Sequence, residues 1–343
     1  MFLDNILITG GCGFLGVSLI KKLLALQSKN IRLIDNLSVG KKKHLRQVCE
    51  FTEINPNNLK GSPNGLELIV GDIRDQELAI KVAKGIDTII HLASFASVAE
   101  SQKFKKKYYL NNVIGTQKLL QACKNTNIKN FIYSSSCSIY GNVKGKVSET
   151  KKPNPKSYYA FTKYKSENLI KNFSKKYKFK YVILRYFNVA GASNSGKIGE
   201  IGNKNDRLIK NLAIQFFKDK AKINIHGINY KTKDGTCVRD YIHVSDIADI
   251  HNMCIGYLNK NFKSNTFNCG YEKGYSVLEI SKIFKKLKKN TIIKFGKRRP
   301  GDVGQVFANS SKFKKTFKWK PKYNDIKKIL NSSIKWEKKL NHL

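Results

Sequence analysis

The chain is short of acid. It carries 24 Asp and Glu residues against 65 Lys and Arg, a formal net charge of +41. It also lacks any apolar run of membrane-spanning length, which excludes a helix across a bilayer. The N-terminus passes straight into the apolar segment Ile6–Ile8, so no signal peptide is expected and the expected location is cytoplasmic. Seven cysteines are scattered without a Cys-x-x-Cys pair, and their odd number argues against a disulfide framework; they read as reduced, mostly buried thiols. None of the six histidines stands at ligand spacing from a cysteine or carboxylate, so no metal is expected. The lysine runs Lys41–Lys43, Lys105–Lys107 and Lys285–Lys286 lie far apart, arginine is scarce, and no nucleic-acid-binding motif is present. The charge therefore reads as lysine-rich solvated faces rather than a footprint for a specific nucleic acid.

What is present is a globular composition, 41% hydrophobic over 343 residues, long enough for two domains. The most informative stretch runs from Ile6 to Leu24. Ile6–Ile8 has the pattern of a buried strand, glycines follow at Gly10, Gly13 and Gly16, and apolar residues at helical spacing come next. Strand, glycine turn and helix form a dinucleotide-binding unit. Gly10 serves the tight turn, Gly13 lets backbone approach a pyrophosphate, and Gly16 lets the helix pack on the strand. Helix-terminal amides face the phosphates. A second apolar strand, Ile31–Ile34, ends in Asp35 and Asn36 about twenty residues past the glycines. An acid there accepts from ribose hydroxyls and repels a 2′-phosphate, which favours NAD over NADP.

Further strands are expected at Leu66–Val70, Asp87–Ala93, Asn130–Ser136 and Tyr181–Arg185, with helices around Gly115–Cys123 and Tyr159–Lys175 between them. This rhythm predicts an α/β fold, a doubly wound parallel sheet with ligands at the C-terminal strand ends. After Tyr186 the rhythm breaks, and Asn194–Lys204 is rich in Gly, Ser and Asn. The expected division is a cofactor-binding domain over 1–185 and a smaller α/β substrate domain over 186–343, parts of which fold back on the first. Asp325–Leu340 alternates apolar residues with lysine and reads as a solvated helix.

Tyr159 and Lys163 are four apart on one helix face. A phenol is a poor base near neutrality, and an adjacent ammonium together with an oxidised nicotinamide would stabilise its phenolate. Lys163 can also hold the nicotinamide ribose. Ser134–Ser136 ends the preceding core strand, where a hydroxyl reaches a substrate oxygen. Tyr158 competes for the role of base, but the spacing to Lys163 favours Tyr159.

These residues resemble the extended short-chain dehydrogenase/reductases, and within them the UDP-glucose (UDP-galactose) 4-epimerase family. The resemblance runs nearly end to end, through Thr9–Gly16, Asp35–Asn36, Gly71–Ile73, Asn111–Thr116, Ser134–Gly141, Tyr159/Lys163, Arg185–Gly191, Asp234–Val244 and Arg298–Asp302. It implies an NAD-dependent isomerase of a UDP-hexose, with Tyr159, Lys163 and Ser136 catalytic. It places NAD against Gly10, Gly13, Phe14, Leu15, Gly16, Asp35, Asn36, Asp72, Ile73, Leu92, Ala93, Ser94, Asn112, Ser134, Tyr159, Lys163 and Phe187. It places the UDP-sugar against Ser136, Asn188, Arg207, Asn224, Ile225, His226, Arg239, Arg299, Asp302 and Val306. Arg239 and Arg299 would clasp the diphosphate, a task suited to the bidentate guanidinium. A homodimer joined by the helices around Asn112–Cys123 and Tyr159–Lys175 is also implied.

The chain departs from the family at three places. Ala96 stands where many members have a nicotinamide-side lysine, Val306 stands at a position that gates sugar size, and Arg207 falls near a position that is often Asn. The sugar therefore stays open between UDP-glucose/UDP-galactose and N-acetylated or uronate sugars. A nucleotide-sugar 4,6-dehydratase or decarboxylase is an alternative, although Cys137-Ser138-Ile139 offers no acid after Ser136. So is a non-catalytic NAD- or nucleic-acid-binding protein on the same fold.

Overall fold

The structure, a computed structural model, describes residues 5–28, 30–201 and 207–340. Residues 202–204 of the glycine-, serine- and asparagine-rich stretch lie outside them. The frame is a parallel sheet of β1 (Ile6–Thr9), β2 (Ile31–Asp35), β3 (Thr52–Glu53), β4 (Leu66–Val70), β5 (Thr88–His91), β6 (Asn130–Ser136), β8 (Lys180–Tyr186) and β12 (Asn265–Cys269). Their order is β12-β8-β6-β5-β1-β2-β4-β3. Ile6 of β1 pairs with Ile31 on one side and Thr88 on the other, so the order reverses at β1 and opens a crevice at the C-terminal strand ends.

A parallel sheet must be covered on both faces, and helices do so here. The helices are α1 (Phe14–Ala25), α2 (Lys42–Arg46), α3 (Gln76–Ala83), α4 (Val98–Lys103), α5 (Lys105–Tyr108), α6 (Gly115–Ala122), α7 (Tyr158–Tyr177), α8 (Leu208–Phe216), α9 (Val244–Asn259), α10 (Val277–Leu287), α11 (Ser311–Phe317) and α12 (Ile326–Leu340). On one face Val17, Leu19 and Ile20 of α1 share a core with Ile247, Ile250 and Cys254 of α9. On the other, Leu78 and Val82 of α3 join Leu119 and Leu120 of α6 and Ile170 of α7. The predicted doubly wound class is the one observed. α9 and β12, from beyond residue 186, belong to this body's layers.

The remaining strands form two smaller sheets outside this frame. β10 (Ala221–His226) pairs in parallel with β14 (Thr291–Gly296). β13 (Gly274–Ser276), β11 (Val238–His243), β15 (Gln305–Ala308) and β7 (Lys146–Val147) form a second sheet, with β9 (Asn188–Ala190) beside β11. α10 starts with a reciprocal capping box between Ser276 and Glu279. α12 corrects the expectation of a solvated helix. Its lysines face outward, but Ile326, Ile329, Leu330 and Trp336 are buried, and Glu337 pairs with buried Lys210. The same alternation serves an amphipathic helix with one face in a core. Among the described residues no helix is long and apolar enough to cross a membrane, and no cluster of His, Cys, Asp or Glu could hold a metal. All seven cysteines are free thiols.

Candidate active site

The turn after β1 is built for close approach. Gly10 has a φ of +74°, and a Cβ there would lie 2.9 Å from the Ala93 amide nitrogen. A Cβ on Gly16 would lie 2.4 Å from the Gly10 carbonyl oxygen. Gly13 is the N-cap of α1, no side chain caps the helix, and its first turn, beginning Phe14-Leu15, holds no acid. Such a terminus presents amides and a partial positive charge to an anion. At the end of β2 the Asp35 carboxylate accepts from the Cys12 amide at 2.9 Å and the Leu37 amide at 2.8 Å. Burial raises its pKa, and these two bonds oppose the rise. Asp72, one residue before buried Ile73, accepts from Asn36 and Arg74. Burial pushes its pKa up, but those bonds outweigh it and hold the carboxyl at about 2.

The loop after β5 is tied to the same turn. The Leu92 amide donates to the Thr9 carbonyl and the Ala93 amide to the Thr9 hydroxyl. The Ser94 hydroxyl donates to the Phe95 carbonyl. Asn112 lies in a π-helical turn, Tyr109–Ile114, a distortion that recurs at functional sites. Its amide oxygen accepts from Phe95 N–H, and its amide nitrogen donates to Phe95 O and to Thr162. His91 links these pieces. The Thr116 hydroxyl donates to the Asn112 carbonyl at 2.6 Å, so in its contact with His91 Nε2 it must accept. Nε2 therefore carries the proton and Nδ1 accepts from the Thr9 hydroxyl at 2.7 Å. Burial, with help from Lys163, lowers the His91 pKa to about 3, in agreement with a neutral ring.

The end of β6 meets α7. Ser157 caps the helix by accepting from the Ala160 amide, which starts the turn holding Tyr159. Lys163 Nζ donates to the Ser134 carbonyl at 2.7 Å and lies 4.9 Å over the Tyr133 ring. Burial pulls the Lys163 pKa down to about 7, with Glu167 opposing. Burial likewise pushes Tyr159 up to about 12, while a hydrogen bond from Ser136 and the charge of Arg207 pull the other way. In the protein alone the phenol is thus not acidified. The ammonium expected to do so is directed at Ser134. The neighbouring Tyr158 ring packs against Phe161 and lies under Lys105.

Across the crevice, Phe187 and Val306 are buried in one apolar cluster with Cys137, Ile139 and Ala308, directly beyond Ser136. Asn188 opens β9 opposite Tyr241, and Arg239 stands in register with Val306. Arg239 donates to the carbonyls of Val303 at 2.6 Å and Val238 at 2.9 Å. Arg299 pairs with Asp302 at 2.9 Å, and Arg207 with Glu200 at 2.8 Å. Asn224, Ile225 and His226 follow strand alternation: Ile225 is fully buried and offers only backbone, while its two neighbours face solvent. The turn after β10 packs Tyr230 against Arg298, which brings that strand's end to the Arg299–Asp302 loop.

Sequence reasoning missed the supporting residues: Thr9, His91, Thr116 and Thr162 as tethers, and Glu167 and Arg185 beneath the turn of α7 that holds Tyr159 and Lys163. Glu167 did leave a signal, since it continues the four-residue spacing of Tyr159 and Lys163. Arg185 left one as the lone charge in the interior of the apolar strand β8.

Residues 6–270 match the model of the NAD dependent epimerase/dehydratase family. The chain is 35% identical to a UDP-glucose 4-epimerase of Lactobacillus helveticus over 338 residues, 97% of each chain. It is similar to the crystal structure of a UDP-glucose 4-epimerase from Stenotrophomonas maltophila with bound NAD and formylated UDP-arabinopyranose. The TM-score is 0.88 at 28% identity, covering 99% of both chains. It is also similar to the UDP-Glc/GlcNAc 4-epimerase of Campylobacter jejuni, with a TM-score of 0.80 at 34% identity over 98% of this chain and 99% of that one.

Proposed function

The chain belongs to the NAD dependent epimerase/dehydratase family, and on that premise we propose that it is an NAD-dependent 4-epimerase of a UDP-hexose, with UDP-glucose/UDP-galactose as the first choice. The observation that carries this reading is the meeting of Ser136, Tyr159 and Lys163 at the end of β6, on the crevice that the glycine turn opens. The residues fit NAD: a glycine turn with no room for Cβ atoms, an uncapped helix terminus, and a buried carboxylate at Asp35 where the ribose hydroxyls fall. Phe14, Leu15, Asn36, Asp72, Ile73, Leu92, Ala93, Ser94, Asn112, Ser134 and Phe187 complete that wall.

Bound NAD supplies a reversible hydride acceptor and a positive ring. Tyr159 takes the proton of the sugar 4-hydroxyl and returns it to the 4-keto sugar after the sugar has presented its other face. Ser136 bonds the same oxygen and shortens the transfer. Lys163, held at the Ser134 carbonyl, binds the nicotinamide ribose, and Arg207 supplies the positive charge that acts on the phenol. With burial opposing the phenolate, that work needs the cofactor's charge as well. Arg239 and Arg299 hold the diphosphate, Asp302 and the β10 segment the nucleoside, and Asn188, Arg207 and Val306 the sugar. Cys137, whose thiol burial pushes up to about 12, is no acid for elimination, which disfavours a dehydratase.

We also propose a homodimer through α6 and α7, supported by exposed Phe161 on α7 and Phe104 beside α5, and a reducing, cytoplasmic location. The deciding experiment is separate incubation with UDP-glucose, UDP-N-acetylglucosamine and UDP-glucuronate, with the C4 epimer read by NMR. Loss of water or carbon dioxide, or no epimer from any of them, overturns the reading.

A further inference from the structure

β6 ends in three serines, and each holds a different turn of α7. The Ser134 carbonyl accepts from Lys163, the Ser135 hydroxyl donates to Glu167 at 2.5 Å, and the Ser136 hydroxyl bonds the Tyr159 phenol. The three helix residues are four apart and form one stripe along α7. Glu167 is fully buried. Its carboxylate is gripped at both oxygens by Arg185 of β8, with Nε at 3.0 Å and Nη2 at 2.7 Å. Arg185 also donates to the Tyr140 hydroxyl, which donates to Asn268 of β12. The grip therefore runs from α7 through three adjacent strands of the main sheet.

We propose that Glu167, clamped between Ser135 and Arg185, is a positioning residue that sets the height and rotation of α7 over the end of β6, and so where Lys163 and Tyr159 stand. The proposal rests on the assignment of those two residues above. A buried ion pair is poor evidence for stability, since apolar replacements are often as stable. What a bidentate fork does supply is a single orientation.

The clamp has an electrostatic consequence as well. The charged or titratable groups facing Lys163 are Glu167 on α7, Tyr133 on β6 and His91 on β5, with Arg185 of β8 behind Glu167, and Tyr186 of β8 and Arg207 beside Tyr159. His91 is neutral, and Arg185 is answered by Glu167. Glu167 is thus the one carboxylate among them, one turn from the ammonium. Neutralising it removes the charge that opposes burial at Lys163, and the ammonium loses its proton at lower pH.

The test compares Glu167→Gln, Ser135→Ala and the double variant Glu167→Gln/Arg185→Gln in the full chain. NAD affinity is followed by calorimetry across the neutral to alkaline range, and kcat and KM are taken with the UDP-sugar that the wild type turns over. In E167Q the fall of NAD affinity at high pH moves down by about one pH unit, and kcat drops at least about tenfold with KM nearly unchanged. S135A moves both in the same direction by less. The double variant regains thermal stability but keeps the low kcat. Wild-type pH dependence and kcat in either E167Q or S135A, with only a lower melting temperature, overturn the proposal and leave a structural ion pair. Should E167Q not fold, S135A decides. Absence of epimerisation by the wild type defeats the functional reading alone, because the NAD arm needs no sugar.

Discussion

The two walls of the crevice are held in different ways. On the cofactor side the tethers join parts of the frame to one another: Thr9 to His91, His91 to Thr116, Asn112 to Phe95 and Thr162, Lys163 to Ser134, Glu167 to Arg185. They are largely buried and their donors and acceptors match. On the side assigned to the substrate, Arg299 bonds Asp302 three residues on and Arg207 bonds Glu200, while Arg239 reaches from β11 to the Val303 carbonyl. Arg299 and Arg207 are partly exposed. On the proposed reading, NAD meets a wall already tied together, and a diphosphate exchanges partners with Arg299 as it binds.

The strongest way to sharpen that contrast is Tyr159→Phe. It removes the proton carrier and keeps the shape, so turnover falls about a thousandfold while NAD affinity stays within about threefold. Steady-state kinetics with NAD calorimetry checks it, and unchanged turnover removes Tyr159 from the mechanism. Acid should act on both walls, because His91 ends β5 of the main sheet and His243 ends β11 of the second. His91, His243 and His251 are buried and neutral, with pKa values lowered by burial to about 3, about 4 and about 4. An unfolded chain binds their protons below about pH 6.5 and the folded one does not, so stability is lost as pH falls from there toward 4. For a ring held at about 4, the loss is up to about 3 kcal/mol. Melting curves across that range check it, and a flat profile refutes the neutral rings.

Gly16→Ala forces a Cβ against the Gly10 carbonyl at the turn. It should weaken NAD binding by about 2 kcal/mol, roughly thirtyfold, and leave UDP binding alone. Arg299→Ala reverses that pattern: KM for the UDP-sugar rises about tenfold with NAD affinity unchanged, the value of a charge-assisted bond after its exchange with Asp302. Equal effects on both ligands in either variant would collapse the distinction between the walls. The smallest effect belongs to Val306→Ala. It vacates volume beside Cys137 and Phe187 and should shift preference toward the N-acetylated sugar by a few-fold, about 1 kcal/mol, read as the ratio of kcat/KM values.

Local order alone made much of this protein legible. The run from Ile6 to Gly16 needs only its own backbone chemistry to become strand, turn and helix, because buried β-branched residues and closely packed glycines leave few other conformations. The alternation of strand and helix likewise dictates a parallel, doubly wound sheet, and the four-residue spacing places Tyr159 and Lys163 on one face. Tertiary structure decided the rest, because it depends on which distant groups share a buried volume. It turned Lys163 toward Ser134 and left the phenol high, since burial outweighs a neighbouring charge. It brought β12 and α9, far along the chain, into the frame, and it buried Trp336 in a helix whose lysines imply solvent. It paired Glu167 with Arg185 across 18 residues, under the turn that holds Tyr159 and Lys163, a partnership that no local pattern encodes.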